Sequence, residues 1–595
     1  MKLSKIYSNQ PHRFTPIFFN DGLNVVLGEI RMKENLDRDT HNLGKSTLGK
    51  LIDFCLLKGR NPKFFLFEHL ELFEEFEFFL EVELETGRFL TIKRAVATAS
   101  KVSFKRHDPR SSLFDSDSVD WDHEDLSFER AKQMLDSLLG WDFIKPWKFR
   151  NVIGYLLRSQ EDYQDVFQLG KFSGKHSNWK PFLAQLVGFD GSAVQEHYAK
   201  EAELAQRISE ENLLKRELGT SDLNESEIDG ILFLKQQEAE NKRSLVDAFD
   251  FREQDQVETT NVVEDVELEI AQLNQRRYTL QHNLQKIEAA LSKDATLFDT
   301  ESARILFQEA GILFEGQIKR DFDQLIDFNR AITDERRNYL EDERAELLEE
   351  VKAISERLDS LGLLRSNRLK HLSETKSFER YKQFSSDLVV LQADIASLER
   401  MKDALVRLNN LAVSIDALKD EEKRLESIVR AEVRGKSQSR DSRFSQIRLH
   451  FSNIVEAVID RKALLSVSVN KEGHLEFSAH VLDESGNASS AGAGHTYLKL
   501  LCIAFDLAFV RAYLDRKFPQ FVFHDGVFES LDDRKKENLI EVIRQYSALG
   551  IQAIITLIDS DLPVEPSSPM FDDREIVLRL HDEGESGRLF KMPSW

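Results

Sequence analysis

Apolar residues at alternating three- and four-residue spacing dominate the middle of this chain and leave it few ways to fold. Val263, Val266, Ile270, Leu273, Arg277, Leu280, Leu284, Ile287 and Leu291 make one such seam, with a single charged slot. Leu340, Arg344, Leu347, Val351, Ile354, Leu358 and Leu361 make a second, again with one Arg. Leu388, Leu391, Ile395, Leu398, Leu405, Leu408, Ile415, Leu418 and Leu425 make a third, with a phase slip. A stripe this narrow is buried only against another helix. Residues 295–335 separate the first two seams, are richer in Phe and contain Gly311 and Gly316. The pattern therefore predicts an outgoing arm over 193–294, a turn-around over 295–335 and a returning arm over 336–440. A straight arm of that size would reach about 150 Å, and breaks near Gly219 and Phe378 shorten it. A long helical bundle inside a compact domain is the alternative; the matched lengths of the two arms favour the out-and-back pair.

Both ends of the chain, 1–192 and 441–595, read as mixed α/β. Glu77 to Leu84 alternates, Thr86-Gly87 turns, and Phe89 to Arg94 returns as a hairpin partner. The chain holds 42 Phe, and their density between Phe64 and Phe89 reads as core packing. Leu464 to Val469 and His474 to Val481 form another hairpin pattern. A helix over Tyr497–Leu514, one over Arg534–Tyr546, and strands over Gln552–Leu557, Ile576–Leu580 and Leu589–Lys591 follow.

Near the N-terminus, Asn24-Val25-Val26-Leu27-Gly28 reads as a buried strand, and Asn42-Leu43-Gly44-Lys45-Ser46-Thr47 as a turn opening a helix with Leu48, Leu51, Ile52 and Cys55 on one face. Strand, tight turn, lysine, hydroxyl and helix are the parts of a phosphate loop: backbone N–H groups and the helix N-terminus face the anion. Gly28 and Gly44 stand much further apart than the usual four-residue spacing. Either Glu29 to His41 is an insertion beside the phosphates, or Gly28 is incidental. The carboxylate that completes a Mg²⁺ shell is expected at the end of a second buried strand, as Asp525 is after Phe521-Val522-Phe523-His524. Two halves of one nucleotide site thus lie at opposite ends of the chain.

Bulk composition narrows the partners. A net charge of −23 leaves no general basic surface, so any nucleic-acid contact is a local patch. The two cysteines, Cys55 and Cys502, fall in apolar helices, which argues for a reducing compartment and against zinc. There is no apolar leader and no long uncharged apolar run, so a cytoplasmic protein without membrane contact is expected.

With these parts in order, the chain resembles the coiled-coil ABC-type ATPases of the SMC, RecF and RecN group, and more narrowly the SMC-like ATPase subunits of bacterial multi-component anti-phage systems. The resemblance implies an α/β ABC-type P-loop ATPase head assembled from the N- and C-terminal segments, with a long antiparallel coiled-coil insertion. It implies ATP and Mg²⁺ as ligands, with Lys45, Ser46 and Thr47 on the phosphates and Ser46 and Asp525 at the metal. Gln160 stands where the glutamine loop of that group is sought; a solvated polar residue is the alternative. Ser489 to His495 occupies the place of the signature loop, so Ser490, Gly492 and Gly494 would cradle the nucleotide of an opposing head, unless the segment is an ordinary Gly/Ser linker.

Two departures concern hydrolysis. The glutamate that follows the metal-binding aspartate in the group is Gly526 here. Glu529 takes over the water, or no group does. The expected switch histidine is also missing, with Thr556-Leu557-Ile558-Asp559 in its place. By resemblance, ATP closes a homodimer through the heads. The dimer grips double-stranded DNA near the arm roots, where Arg430, Arg434, Lys436, Arg440 and Arg443 cluster, and controls a companion effector such as a nuclease. Lys93, Arg94, Lys101, Lys105, Arg106 and Arg110 form a second basic group. Solvated charged surfaces are the alternative for both. A nucleotide-binding scaffold with little hydrolysis, or a DNA-repair ATPase, are the competing functions.

Overall fold

The computed structural model describes residues 1–595 except 33–42, 111–112, 115–119, 173, 219–223, 248–255, 293–315, 369–375, 489–494, 530, 564–568 and 594–595. Contacts divide the chain into two units: Met1–Gln206 with Asp416–Trp595, and Arg207–Ile415. The strands are β1 (Lys2–Ser8), β2 (Ile17–Phe18), β3 (Leu23–Glu29), β4 (Glu77–Glu85), β5 (Arg88–Ala95), β6 (Lys101–His107), β7 (His123–Ser127), β8 (Leu157–Arg158), β9 (Ala463–Val469), β10 (Leu475–Val481), β11 (Phe521–His524), β12 (Gln552–Ile558) and β13 (Ile576–His581).

The first unit holds two larger sheets. One is antiparallel, in the order β2-β1-β4-β5-β6-β7. Its centre is buried on both faces, so β4 does not show the half-polar alternation its sequence suggests. Phe78, Leu80 and Val82 face the main core, while Phe79 packs with Tyr7 and Trp121 on the other side. The second sheet is wholly parallel, in the order β13-β3-β12-β11-β8. N-terminal β3 lies between β12 and β13 from the far end of the chain, with Leu23 opposite Ala553 and Val25 opposite Ile576. β3, β11 and β12 are buried almost throughout, as their mainly apolar sequences require, and the polar Asn24, His524, Gln552 and Thr556 within them are buried too. β9 and β10 pair as the expected hairpin.

Leu589–Lys591 is not a strand. Its backbone groups diverge: Leu589 N–H donates to the Leu43 carbonyl at 3.0 Å and Lys591 N–H to the Arg13 carbonyl at 2.9 Å. Phe590 meanwhile inserts among Phe14, Phe73 and Phe76, with ring centroids 5.0–5.7 Å apart. The Phe-rich stretch is core, and part of it is completed from the other end of the chain.

In the second unit, helix Gln256–Ser292 runs against Gly316–Arg368, and Glu225–Asp247 against Lys376–Gln438. Ion pairs fix the direction. Glu267 meets Arg365, Glu269 meets Arg357, and Arg276 meets Glu350. Asp229 meets Lys402, Lys235 meets Asp394, and Lys242 meets Asp387. Partner numbers fall on one helix as they rise on the other, so both pairings are antiparallel. Val266, Leu280, Ile287, Ile354 and Leu361 are buried in the seam. Arg344, its charged slot, lies 3.7 Å from Glu288. Helix already occupies 316–335, so the change of direction assigned to 295–335 falls largely on residues outside those described. Among the described residues, no helix is long and apolar enough to cross a membrane.

Candidate nucleotide site

The site is built where the strands of the parallel sheet end. β3 leads through Gly28 towards helix Lys45–Cys55, β8 into Ser159-Gln160, β11 into Asp525-Gly526, and β12 into Asp559. In an open parallel sheet this carboxyl edge is where ligands bind. Gly44 is left-handed (φ 96°) and caps the helix, and a Cβ there would lie 2.6 Å from Leu589 Cβ. Leu48, Leu51, Ile52 and Cys55 pin the helix to the core.

Lys45 is buried, and its side chain lies against Gly28: a Cβ on Gly28 would stand 3.4 Å from Nζ. Gly28 is therefore part of the lysine's seat. Burial pushes the Lys45 amine below its ordinary value, opposed by the nearby charges of Asp525, Asp561, Glu529 and Asp559. Among the described residues Nζ makes no hydrogen bond or ion pair. Ser46 and Thr47 are half-buried in the first turn of the helix. Ser46 and Asp525 both line a cavity of about 230 Å³ that also meets Ser159 and Asp162.

Asp525 is fully buried. Its Oδ1 accepts from Thr556 Oγ1 at 2.5 Å, while Oδ2 has no partner among the described residues. Thr556 Oγ1 in turn accepts from Gly526 N–H at 3.0 Å. The position where a histidine was sought is thus spent on orienting the aspartate. Gly526 is left-handed (φ 66°), and a Cβ on it would meet Glu529 Oε1 at 2.7 Å and Gln160 Nε2 at 2.8 Å. Glu529 has folded back into the space that a side chain at 526 would fill. Gln160 Nε2 donates to Glu529 Oε1 at 2.6 Å, which leaves the amide oxygen available. Lys499 Nζ donates to Glu529 Oε2 at 3.0 Å and to the Gly526 carbonyl at 2.8 Å. Burial raises the Asp561 carboxyl above its usual range, helped by the Glu529 charge.

Behind the site, fully buried Arg158 shapes the glutamine segment. It pairs with Asp506 at 2.7 and 2.8 Å and donates to the carbonyls of Asp162, Asp165 and Val166. His524 reaches the same Asp506 carboxylate at 3.0 Å. Ser159 and Asp162 close a capping box around Gln160.

The structure therefore brings Lys45, Gln160, Asp525 and Glu529 together, with Ser46 and Thr47 on the same helix turn as Lys45. Asn42, Ser490, Gly492 and Gly494 lie outside the described residues. Lys499, Thr556, Arg158 and Asp506 are additions. The only sequence signals for them were a lysine and an aspartate on an otherwise apolar helix and an arginine in the apolar 152–158 run. The buried Asp525 carboxylate oxygen, the Ser46 hydroxyl and the Gln160 amide oxygen are hard donors that fit Mg²⁺, and the buried Lys45 ammonium, without a partner among the described residues, suits phosphate.

Of the arm-root cations, Arg434 and Arg440 are exposed and Lys436 is half-exposed. Arg430 pairs with Glu426 at 2.7 Å and donates to the Asn470 carbonyl. Arg443 is held by Asp515, the Ala512 carbonyl and the Tyr513 ring. In the second basic group Arg94 is not on the surface. It is buried between the Phe54 and Phe128 rings and donates to the carbonyls of Phe54, Lys58 and Ala99.

A family model described as an uncharacterised protein conserved in bacteria (DUF2326) matches residues 454–594. No curated protein matches the chain. Among solved structures, an Smc head domain with a coiled coil and joint from Pyrococcus yayanosii is 14% identical, covers 93% of this chain and 92% of its own, and has a TM-score of 0.35. An Smc head domain with an extended coiled coil bound to the C-terminal domain of ScpA, from Pyrococcus furiosus, is 12% identical over 94% and 90%, with a TM-score of 0.29. At these scores neither likeness bears on the chemistry, which rests on the geometry above.

Proposed function

We propose that this chain is an SMC-like ATPase that binds ATP and Mg²⁺ at the carboxyl edge of its parallel sheet and hydrolyses ATP slowly. The observation that carries the reading is the convergence of Lys45, Gln160, and the Asp525–Glu529 turn, from three separate segments, at the carboxyl edge of the parallel sheet. Lys45 and the N–H groups of its helix turn neutralise phosphate oxygens. Ser46, the orphaned oxygen of Asp525 and the amide oxygen of Gln160 would hold Mg²⁺, which when bound offsets charge on the phosphates. Glu529 is the carboxylate assigned to the attacking water. Slow turnover follows from Gly526 standing in place of the usual glutamate, since Glu529 serves from three residues further on and is held there by Gln160 and Lys499.

On this reading ATP closes two copies through their heads. Double-stranded DNA is held by Arg434, Lys436 and Arg440, and the dimer controls a companion effector in anti-phage defence. Nucleotide affinity and turnover, with and without duplex DNA, test it beside Lys45→Ala and Glu529→Gln. DNA-stimulated hydrolysis lost in both variants is expected, with ATP binding lost only in Lys45→Ala. Failure of the parent chain to bind ATP overturns the proposal. Tight binding without turnover under any condition leaves the nucleotide-held scaffold, a second reading favoured by Gly526 standing in place of the usual glutamate.

A further inference from the structure

We infer that Lys499 is a positioning residue for hydrolysis: it holds the Glu529 carboxylate over the vacant side-chain position of Gly526. The inference rests on the ATP-hydrolysing reading and adds to it the device that replaces the missing glutamate.

Lys499 lies on helix His495–Ala512, and only 5% of its side chain is exposed. An ammonium buried to that extent is costly unless paired and hydrogen-bonded. Both of its acceptors come from one short turn, the Gly526 carbonyl at 2.8 Å and Glu529 Oε2 at 3.0 Å. The Tyr163 ring lies 5.2 Å from Nζ. One cation therefore ties the left-handed backbone at 526 to the carboxylate three residues later. Glu529 needs such a tie. Its side chain is 35% exposed, so without an anchor it is free to turn towards solvent. Gln160 supplies the second donor, on Oε1 at 2.6 Å, and two donors on different oxygens set the plane of the carboxylate. A carboxylate has about four lone-pair sites, so two remain to accept a proton from water. Lys499 does the work of geometry; the carboxylate does the chemistry.

The test uses the full chain and the variants Lys499→Met, Lys499→Arg, Glu529→Gln and the double Lys499→Met/Glu529→Gln. Three quantities are read: kcat and KM for MgATP, and the thermal midpoint of the nucleotide-free protein. Lys499→Met is expected to lower kcat by about a hundred-fold, the scale of a misplaced catalytic group, with KM changed less than about two-fold. Lys499→Arg is expected to recover most of the loss. The double variant should be no slower than Glu529→Gln, and the two thermal shifts should not add. Unchanged kcat in Lys499→Met, or losses that multiply in the double variant, overturn the inference while leaving the ATPase reading intact. If the parent binds ATP but never hydrolyses it, the hydrolytic reading and the role of Lys499 in it both fall.

Discussion

Gly526→Ala is the substitution on which the account of the site is most exposed. The residue is left-handed, which costs an L side chain about 1–2 kcal/mol. The new Cβ would also lie 2.7 Å from Glu529 Oε1, 2.8 Å from Gln160 Nε2 and 3.0 Å from Glu529 Cδ, so the carboxylate and the amide must both retreat. That motion breaks the Gln160–Glu529 hydrogen bond and stretches the Lys499–Glu529 pair. Because Glu529 is a third exposed, solvent replaces part of what is lost, and about 1 kcal/mol is a fair figure for both. The sum is about 2–3 kcal/mol. Urea unfolding of the full chain reads the stability, and steady-state hydrolysis reads the displacement of Glu529. Gly526→Glu, which writes in the absent glutamate, meets the same obstruction and should lower turnover rather than raise it. A Gly526→Ala protein within about 0.5 kcal/mol of the parent and equally active would refute the reasoning.

Thr556→Val keeps the volume but removes the hydroxyl that donates to Asp525 and accepts from Gly526 N–H. Two buried polar groups lose a partner, so a loss of about 2–4 kcal/mol in denaturant unfolding is expected, together with weaker Mg²⁺-dependent nucleotide binding; a neutral variant would contradict the assignment. Asp53 governs part of the acid limb. Burial alone would raise its carboxyl, but the charges of Arg150, Lys58 and Lys171 prevail and hold it down at about 2. A depressed carboxylate contributes stability that is complete above its ordinary value of 3.8 and lost as the pH falls from there towards 2. Asp53→Asn should flatten the stability profile in that window alone, which thermal midpoints between pH 5 and 2 would show.

The sequence exposed what depends on local pattern. The Asn24–Gly28 strand, the helix after Gly44 and the strand before Asp525 carry their burial in their own residues, and the seams carried the arms. What stayed hidden depends on residues far apart in the chain. Gln160 and Glu529 are separated by 369 positions, and Arg158 and Asp506 by 348, so no periodicity links them. Arg94 looked like one of a surface group because a cation between two aromatic rings has no local signature. Leu589–Lys591 looked like a strand because three residues of apolar and basic character fit a sheet edge as well as a plug. Gly526 in sequence leaves open whether Glu529 or no group replaces the glutamate; the fold makes 526 the space into which Glu529 turns.

The placement of β3 between β12 and β13 has a consequence for how the chain is made. Leu3 of β1 and Gln552 at the start of β12, which exchange hydrogen bonds between the two sheets, are 549 residues apart. At roughly 5–20 residues per second of synthesis, the N-terminal strands wait about 30–110 s for their partners. During that interval the apolar edges of β3 have no mate, and sticking to another nascent chain is the competing reaction. The arm helices pair with neighbours much closer in sequence, such as Arg276 with Glu350, and can form while the waiting lasts. Their antiparallel pairing shortens the loop that must close before β12 reaches β3, from several hundred free residues to a few short links. The seam is thus also a kinetic splint, and mutations that weaken it should lower the yield of folded protein from synthesis before they alter the stability of the finished molecule.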